Sequence, residues 1–241
     1  MRRDDEDMVA TDLAFLNDAG ARRKLAASLR VADVDVSRYA AVYFVGGKGT
    51  MFDFPGDPGI QRLVRDVYQR GGVIGAVCHG PAALLDVVLD DGTPLLRGRR
   101  VAAFSNAEEL FLIEDARSRF PYLLQDRILQ KGGHYVEGPM YLDNTVVDGR
   151  IVTGQNPWST WSTAEAMVRA LGHVPVARAP GRDEQAVQVM AAYHRHGIAA
   201  AREARAALPE ADKRLLLMHA LVAAMQGRAG DAWHLQALAL G

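Results

Sequence analysis

The sequence predicts an α/β fold with a doubly wound, mostly parallel sheet, because buried-strand patterns alternate with amphipathic helices. Two apolar runs, AAVYFVGG (40–47) and GVIGAV (72–77), are rich in Val, Ile or aromatic residues, and each ends at a turn signal. Between them, DPGIQRLVRDVYQRGG (57–72) has helical spacing, and its final glycines stop the helix. The residues on its apolar face are Ile60, Leu63, Val64 and Val67. We therefore expect a right-handed βαβ unit.

Helices and strands continue to alternate after this unit. PAALLDVVLDDG (81–92) is predicted to be a helix, with Pro81 tolerated in its first turn. The further predicted strands are RRVAAFS (99–105), HYVEG (134–138), TVVDG (145–149) and RIVTG (150–154). The further predicted helices are NAEELFLIEDA (106–116), PYLLQDRILQKGG (121–133) and WSTAEAMVRALG (161–172).

The last part of the chain differs in composition and predicts a helical extension. HVPVARAPGRDEQ (173–185) has the two prolines and the glycine of a linker. The segments that follow it are helical in pattern: about 183–206, PEADKRLLLMHALVAAMQ (209–226) and DAWHLQALAL (231–240). We expect two domains, an α/β domain over residues 1–175 and an extension over residues 176–241. The middle helix is too apolar to lie bare on a surface, so it should dock on the main domain or on another subunit.

Bulk properties exclude several classes of protein. The 241 residues are 49% apolar and 24% charged, which is typical of a soluble globular protein. A net charge of -1 gives no footprint for nucleic acid, and no apolar run is long enough to span a membrane. The chain has one cysteine, so it forms no internal disulfide. A cytoplasmic location is expected.

The single cysteine, Cys78, lies where a predicted strand gives way to a predicted helix. A nucleophile at such an elbow needs small residues on both sides, and Ala76 and Gly80 occupy those places. The N-terminus of the following helix would favour the thiolate, and the adjacent His79 could move a proton. The alternative is an ordinary buried cysteine. The small neighbours and the histidine favour the elbow.

Two further stretches could contribute to such a site. In FVGGKGTMFDFP (44–55), Gly46 and Gly47 end a strand and could offer backbone N–H groups to an oxyanion, although a plain turn explains them equally well. In FSNAEEL (104–110), a carboxylate could orient His79, but spacing alone favours helix capping, with Glu108 and Glu109 in the first turn. The other histidines form no ligand pattern, so no metal site is expected.

Taken together, these motifs resemble the ThiJ/PfpI superfamily, which has a class I glutamine amidotransferase-like fold, and within it the glyoxalase III and heat-shock chaperone-like branch. The resemblance covers about residues 30–172, and its motifs are YFVGGKGTMFDF, GAVCHGPAAL, AAFSNAEE, LLQDRILQKGGHYV and VVDGRIVTGQNPWSTWSTAEAMVRAL. It implies a flavodoxin-like sandwich. It also implies roles for Cys78 as nucleophile, His79 as its histidine, Glu109 as the acidic third member, with Glu108 as the alternative, and Gly46 and Gly47 beside the oxyanion.

The chain departs from the family pattern in two places. Lys48 follows Gly-Gly where this branch usually has histidine, and it could stabilise a thiolate or an oxyanion. The family's first strand, helix and second strand, whose helix carries a glutamate acid/base, have no counterpart, because Glu6 is the only glutamate before Glu108 and its context does not match. We therefore expect an N-terminally truncated sheet that leaves strand 40–47 at an edge. The apolar helix 209–226, or a second subunit in a homodimer, would cover that edge.

The resemblance implies a lyase that converts methylglyoxal or a related α-oxoaldehyde to a 2-hydroxy acid without any cofactor, with activity that loss of the glutamate could impair. One alternative is a non-catalytic chaperone or a redox-sensing stress module in which Cys78 is oxidised reversibly. Another is a PfpI-type hydrolase or deglycase. A glutamine amidotransferase proper is disfavoured, because the His-x-Glu tripeptide of that class does not occur in this chain.

Overall fold

The structure, a computed structural model, describes residues 10–241, so Glu6 lies outside the described residues. The chain divides into two compact units, of which the first ends at Asp35 and the second is Val36–Gly241. The first unit contains helices α1 (Ala10–Asn17) and α2 (Ala19–Ala26). Asp18 caps α2, because its side chain accepts a hydrogen bond from the backbone N–H of Ala21 at 2.8 Å.

The second unit is built on a four-stranded sheet with the order β1-β2-β6-β5. Its strands are β1 (Ala41–Phe44), β2 (Val73–Val77), β5 (Thr145–Asp148) and β6 (Ile151–Gly154). The pairs β1–β2 and β2–β6 are parallel, and β5 joins β6 as an antiparallel hairpin. Strands β3 (Arg100–Val101) and β4 (His134–Tyr135) form a separate parallel pair. The expected α/β fold with a mostly parallel sheet is confirmed.

The βαβ unit forms where the sequence predicts it. After the short helix α3 (Thr50–Asp53), helix α4 (Pro58–Gln69) connects β1 to β2. Asp57 caps α4 by accepting the N–H of Ile60 at 2.8 Å, and Pro58 occupies its first turn. The predicted apolar face is the buried one: Ile60, Leu63, Val64 and Val67. The C-terminal ends of β1 and β2 consequently lie side by side.

The helix predicted over residues 81–92 is wrong. The chain makes a short 3₁₀ helix over Gly80–Leu84, and all five residues are buried. The chain then turns back on itself, with Leu89 N–H donating to the carbonyl of Thr93 at 2.9 Å and an isolated antiparallel bridge between Val88 and Pro94. The turn forms at Asp90-Asp91-Gly92, where Gly92 has φ +82°.

The strand predicted over residues 99–105 is shorter than expected, because only Arg100 and Val101 pair with β4. The residues after it still run through the core: Ala102 donates its N–H to Oγ1 of Thr153 at 2.9 Å, and Phe104 donates to the carbonyl of Cys78 at 2.9 Å. The remaining helices of this region are α5 (Asn106–Leu112), α6 (Ala116–Arg119), α7 (Leu124–Gln130) and α8 (Thr160–Ala170).

Three helices complete the second unit: α9 (Arg182–Ala207), α10 (Lys213–Met225) and α11 (Ala229–Leu240). Helix α9 is kinked at Gly197, whose φ is +84°. The apolar core of these helices also includes Leu142 and is flanked by Trp158 and Trp161. None of the described residues of this core comes from β1, so the expectation that helix 209–226 covers the β1 edge is wrong. The division at residue 175 stays a prediction.

Among residues 10–241, none of the helices has the length and apolar character that crossing a membrane requires.

Candidate active site

Cys78 lies at a strained elbow directly after β2. Its φ is +62°, a left-handed conformation that residues other than glycine rarely adopt. The backbone on both sides is held, because Cys78 donates its N–H to the carbonyl of Gly154 at 2.9 Å and accepts the N–H of Phe104 at 2.9 Å. The side chain is only partly buried. These contacts place the sulfur at the C-terminal edge of the sheet, where it points away from β2.

The loop after β1 approaches this elbow so closely that it requires glycine. A Cβ on Gly46 would lie 2.5 Å from the carbonyl oxygen of Val77 and 2.7 Å from Cβ of Cys78. Gly80 is equally constrained, because its Cβ would lie 2.2 Å from the carbonyl oxygen of Phe44. Gly47 has φ +123°, which favours glycine for a different reason. Gly46 thus packs directly on Cys78, and the backbone N–H of Gly47 faces its thiol.

A chain of three side chains starts at the sulfur. Sγ of Cys78 lies 3.3 Å from Nδ1 of His79, and Nε2 of His79 lies 2.5 Å from Oε2 of Glu109. A carboxylate only accepts hydrogen bonds, so Nε2 carries the ring proton and Nδ1 presents a lone pair to the thiol. The ring of Phe104 packs against the imidazole with 4.6 Å between centroids. His79 is thus oriented as a base toward Cys78.

The structure separates the two adjacent glutamates, which sequence reasoning left as alternatives. Glu109 contacts His79, whereas Glu108 is fully buried and faces three N–H donors of its own. Ser105 N–H reaches its Oε2 at 3.0 Å, and Oε1 accepts from Tyr141 N–H at 2.7 Å and Asn156 Nδ2 at 2.9 Å. Ser105 and Glu108 form a capping box at the start of α5, so the expected capping is present alongside the contact to His79.

Tyr141 and Asn156 are supporting residues that sequence reasoning missed. Tyr141 has φ +55° and also donates its hydroxyl to the carbonyl of Glu108 at 2.9 Å. Asn156 donates a second bond to the carbonyl of Leu142 at 2.8 Å. The motif VTGQNPWS, which ends β6, contained the signal for Asn156, because a polar amide directly after a buried strand faces the same edge of the sheet as Cys78.

The expected stabilisation of a thiolate is wrong. The pKa of Cys78 is raised to about 12, mainly by burial; the charges of Glu108 and Glu109 also raise it, and hydrogen bonds from the backbone N–H groups of His79 and Gly47 partly offset the rise. The 3₁₀ helix after Cys78 has only five residues, so it does not supply the dipole of a full helix. The neutral thiol is therefore the resting form at neutral pH, and a base is needed to make it a nucleophile.

Lys48 lies at the edge of this group. Its Nζ is 4.0 Å from Oε1 of Glu109, and 42% of its side chain is exposed. The structure thus brings together all six predicted residues: Gly46, Gly47, Lys48, Cys78, His79 and Glu109. Among the described residues, no three His, Cys, Asp or Glu side chains are placed to hold a metal ion.

Replacing Gly46 by Ala should destabilise the protein by about 1–3 kcal/mol, because the new methyl group would meet backbone atoms of the elbow. Gly49→Ala, in the same loop with no atom within 4 Å of its Cβ position, is the matched control. Urea unfolding of both variants measures the difference. Equal losses in the two variants would show that the close approach does not constrain residue 46.

Alkylation of Cys78 by iodoacetamide should be slow at pH 7 and should rise steadily up to pH 10. A raised pKa keeps the thiol protonated. Below the pKa of about 12, raising the pH by one unit therefore increases the thiolate fraction, and with it the rate, by about tenfold. The same protein unfolded in urea is the control and should plateau near its ordinary pKa, about 8.5. A plateau below pH 8 in the folded protein would contradict the raised pKa.

The isosteric variants Glu108→Gln and Glu109→Gln should separate in their effects. Glu108→Gln places an amide N–H against surrounding donors and should cost about 1–3 kcal/mol of unfolding free energy. Glu109→Gln should instead disturb the imidazole of His79, because Nε2 loses its carboxylate acceptor and the preference for a proton on Nε2 weakens. Urea unfolding and nitrogen-15 NMR of the His79 ring in both variants test this. A pattern reversed between the two would contradict the assignment of Glu109 as the partner of His79.

Comparison with known proteins identifies the family. Glyoxalase 3 of Candida albicans is 37% identical over 147 residues, which are 58% of this chain and 61% of that protein. The structure of the Rapid Encystment Protein 24 kDa of Francisella tularensis matches with a TM-score of 0.63 at 35% identity, over 66% of this chain and 70% of that one. Glyoxalase III from Candida albicans gives 0.63 at 32% identity, over 69% and 74%.

The chain spans less than two thirds of the length of curated glyoxalases that it resembles in sequence, among them glyoxalase 3 of Candida albicans. Helices α9, α10 and α11 lie beyond the family match. The model of the DJ-1/PfpI family matches residues 17–170, which include the elbow, the glycine loop and both glutamates. This match covers more than half of the chain, and the chain belongs to the DJ-1/PfpI family.

Proposed function

We propose that this protein is a cysteine-dependent, glyoxalase III-like lyase that converts methylglyoxal or a related α-oxoaldehyde to the 2-hydroxy acid. The observation that carries the proposal is the path from Sγ of Cys78 through His79 to Glu109, with distances of 3.3 and 2.5 Å. Relatives that are 31–37% identical are named as glyoxalases that are independent of glutathione or as glyoxalase 3, which supports the same chemistry.

In the first step the thiol of Cys78 adds across the aldehyde of the substrate. The sulfur bonds to the aldehyde carbon, and the thiol proton passes through Nδ1 of His79 to the aldehyde oxygen, which gives a hemithioacetal. Because burial raises the pKa of Cys78 to about 12, the proton transfer to His79 must accompany the attack. A positioned base contributes about 10²–10⁴-fold to such a step.

The second step moves hydrogen between two carbons of the bound substrate. The proton on the aldehyde carbon is removed, an enediol forms, and a proton is returned to the former ketone carbon, which leaves a thioester of the 2-hydroxy acid on Cys78. Water then cleaves the carbon–sulfur bond, releases the acid and restores the thiol. One carbon is oxidised and its neighbour reduced, so the overall reaction adds one water and uses no cofactor. We assign no residue to the family's glutamate role.

The glycine loop is proposed to hold the oxygen that carries charge in these steps. The N–H of Gly47 faces the sulfur of Cys78, and Gly46 lies against the backbone of the elbow. Backbone donors in this position stabilise a developing oxyanion without reorganisation. Lys48 supplies a positive charge at the open side of the site.

Cys78→Ala should abolish the formation of D-lactate from methylglyoxal, while the wild-type protein forms it. The variant removes only the sulfur, and the backbone contacts of Cys78 to Gly154 and Phe104 remain. Lactate is measured enzymatically, and thermal unfolding of both proteins confirms that they are folded. Ser37→Ala, outside the site, is the matched control and should keep full activity. Equal rates in wild type and Cys78→Ala would contradict the enzyme proposal.

Equal lactate formation by the wild type and Cys78→Ala would favour the non-catalytic chaperone. One observation supports that alternative. Large apolar side chains are exposed on the last two helices: Leu221 at 61%, Met225 at 67% and Trp233 at 70%. Such a surface suits the holding of unfolded chains. The raised pKa of Cys78 opposes the redox-sensing version, since oxidation proceeds through the thiolate. A hydrolase or deglycase, the cytoplasmic location and the homodimer stay predictions.

A further inference from the structure

Only one of the two oxygens of the Glu109 carboxylate has a hydrogen-bond partner in the candidate active site. Its Oε2 contacts His79, whereas its Oε1 is buried and has no hydrogen-bond partner among the described residues. The residue is only 4% exposed. A buried polar atom without a partner costs about 1–3 kcal/mol. An unpartnered oxygen at this position therefore calls for a specific donor.

Lys48 is placed to be that donor. Its Nζ lies 4.0 Å from Oε1, which is about 1 Å beyond a charge-assisted hydrogen bond. The backbone of Lys48 is held at the start of α3, because its carbonyl accepts the N–H of Met51 at 3.2 Å. The far end of its side chain is free to move, since 42% of the side chain is exposed. The gap to close is thus about 1 Å, and the moving part is the flexible end of a long side chain.

We propose that Lys48 is a positioning residue that acts through Glu109: its ammonium binds Oε1 and thereby holds Oε2 on His79. The series of contacting side chains that starts at the thiol then has four members, in the order Cys78, His79, Glu109 and Lys48. This differs from direct contact between Lys48 and a thiolate or an oxyanion. For substrate turnover the inference rests on the proposed lyase function, but the state of the thiol does not depend on it.

The chemistry of His79 explains why the second oxygen matters. His79 serves as a base only while Nε2 keeps its proton bonded to Glu109, which leaves the lone pair of Nδ1 toward Sγ of Cys78. When the thiol proton moves to Nδ1, the ring becomes a cation between thiolate and carboxylate. Without Lys48, Oε1 is unpartnered, and rotation of the carboxylate toward solvent would withdraw Oε2 from the ring.

The test uses alkylation of Cys78 by iodoacetamide, which reports on one site because the chain has a single cysteine. Lys48→Met should slow alkylation about tenfold, and Lys48→Arg, which keeps the charge, should recover most of the rate. In a Glu109→Gln background, Lys48→Met should change nothing further. Lys131→Met, which removes a lysine paired with Asp86, is the matched control and should leave the rate unchanged.

Two outcomes would overturn the inference. An equal slowing by Lys48→Met with and without Glu109→Gln would show that Lys48 acts on the sulfur directly, and no slowing in either background would show that it has no role. Thermal unfolding checks each variant, and Glu109→Asp, which withdraws the carboxylate from both partners, replaces Glu109→Gln if the latter does not fold. Alkylation needs no turnover, so failure of the lyase proposal would appear separately, as absent lactate formation. If lactate forms, Lys48→Met should lower kcat and leave KM unchanged.

Discussion

The contact between Nε2 of His79 and Oε2 of Glu109, at 2.5 Å, is the interaction on which the rest of the site depends. It fixes the tautomer of the imidazole, and the tautomer decides whether Nδ1 can accept the proton of a thiol whose pKa is raised to about 12. The neighbouring Glu108 anchors helix α5 to Ser105, Tyr141 and Asn156. One carboxylate thus holds the helix, and the next one along the chain orients the base.

Strain at Cys78 and close packing at Gly46 belong to the same arrangement. A cysteine with φ +62° persists only where surrounding bonds hold it, and the bonds from Gly154 and Phe104 do so. The glycine loop then comes within van der Waals distance of the elbow, which no larger residue would permit. The site therefore forms where two adjacent parallel strands, β1 and β2, end side by side, and their register sets its geometry.

Local patterns were sufficient to predict the βαβ unit, the elbow and the glycine loop, because their signals are apolar periodicity and small residues. The helix over 81–92 was wrong, since the Asp-Asp-Gly turn outweighed the apolar spacing before it. The predicted stabilisation of a thiolate was wrong as well, because burial raises the pKa of Cys78. The segments at Gly46 and Phe104 that lie against Cys78 are distant from it in sequence. The choice between Glu108 and Glu109 needed the phase of α5 relative to His79, which spacing does not supply.

The tautomer of His79 is the most direct test, because attack by a neutral thiol requires Nδ1 to be free of its proton. Nitrogen-15 NMR of the imidazoles measures it, with the signal of His79 among the seven histidines assigned by its loss in His79→Gln. We expect a protonated Nε2 and an unprotonated Nδ1 at neutral pH, and Glu109→Gln should weaken that preference. A proton found on Nδ1 with Nε2 bare would contradict the path from Cys78 to Glu109.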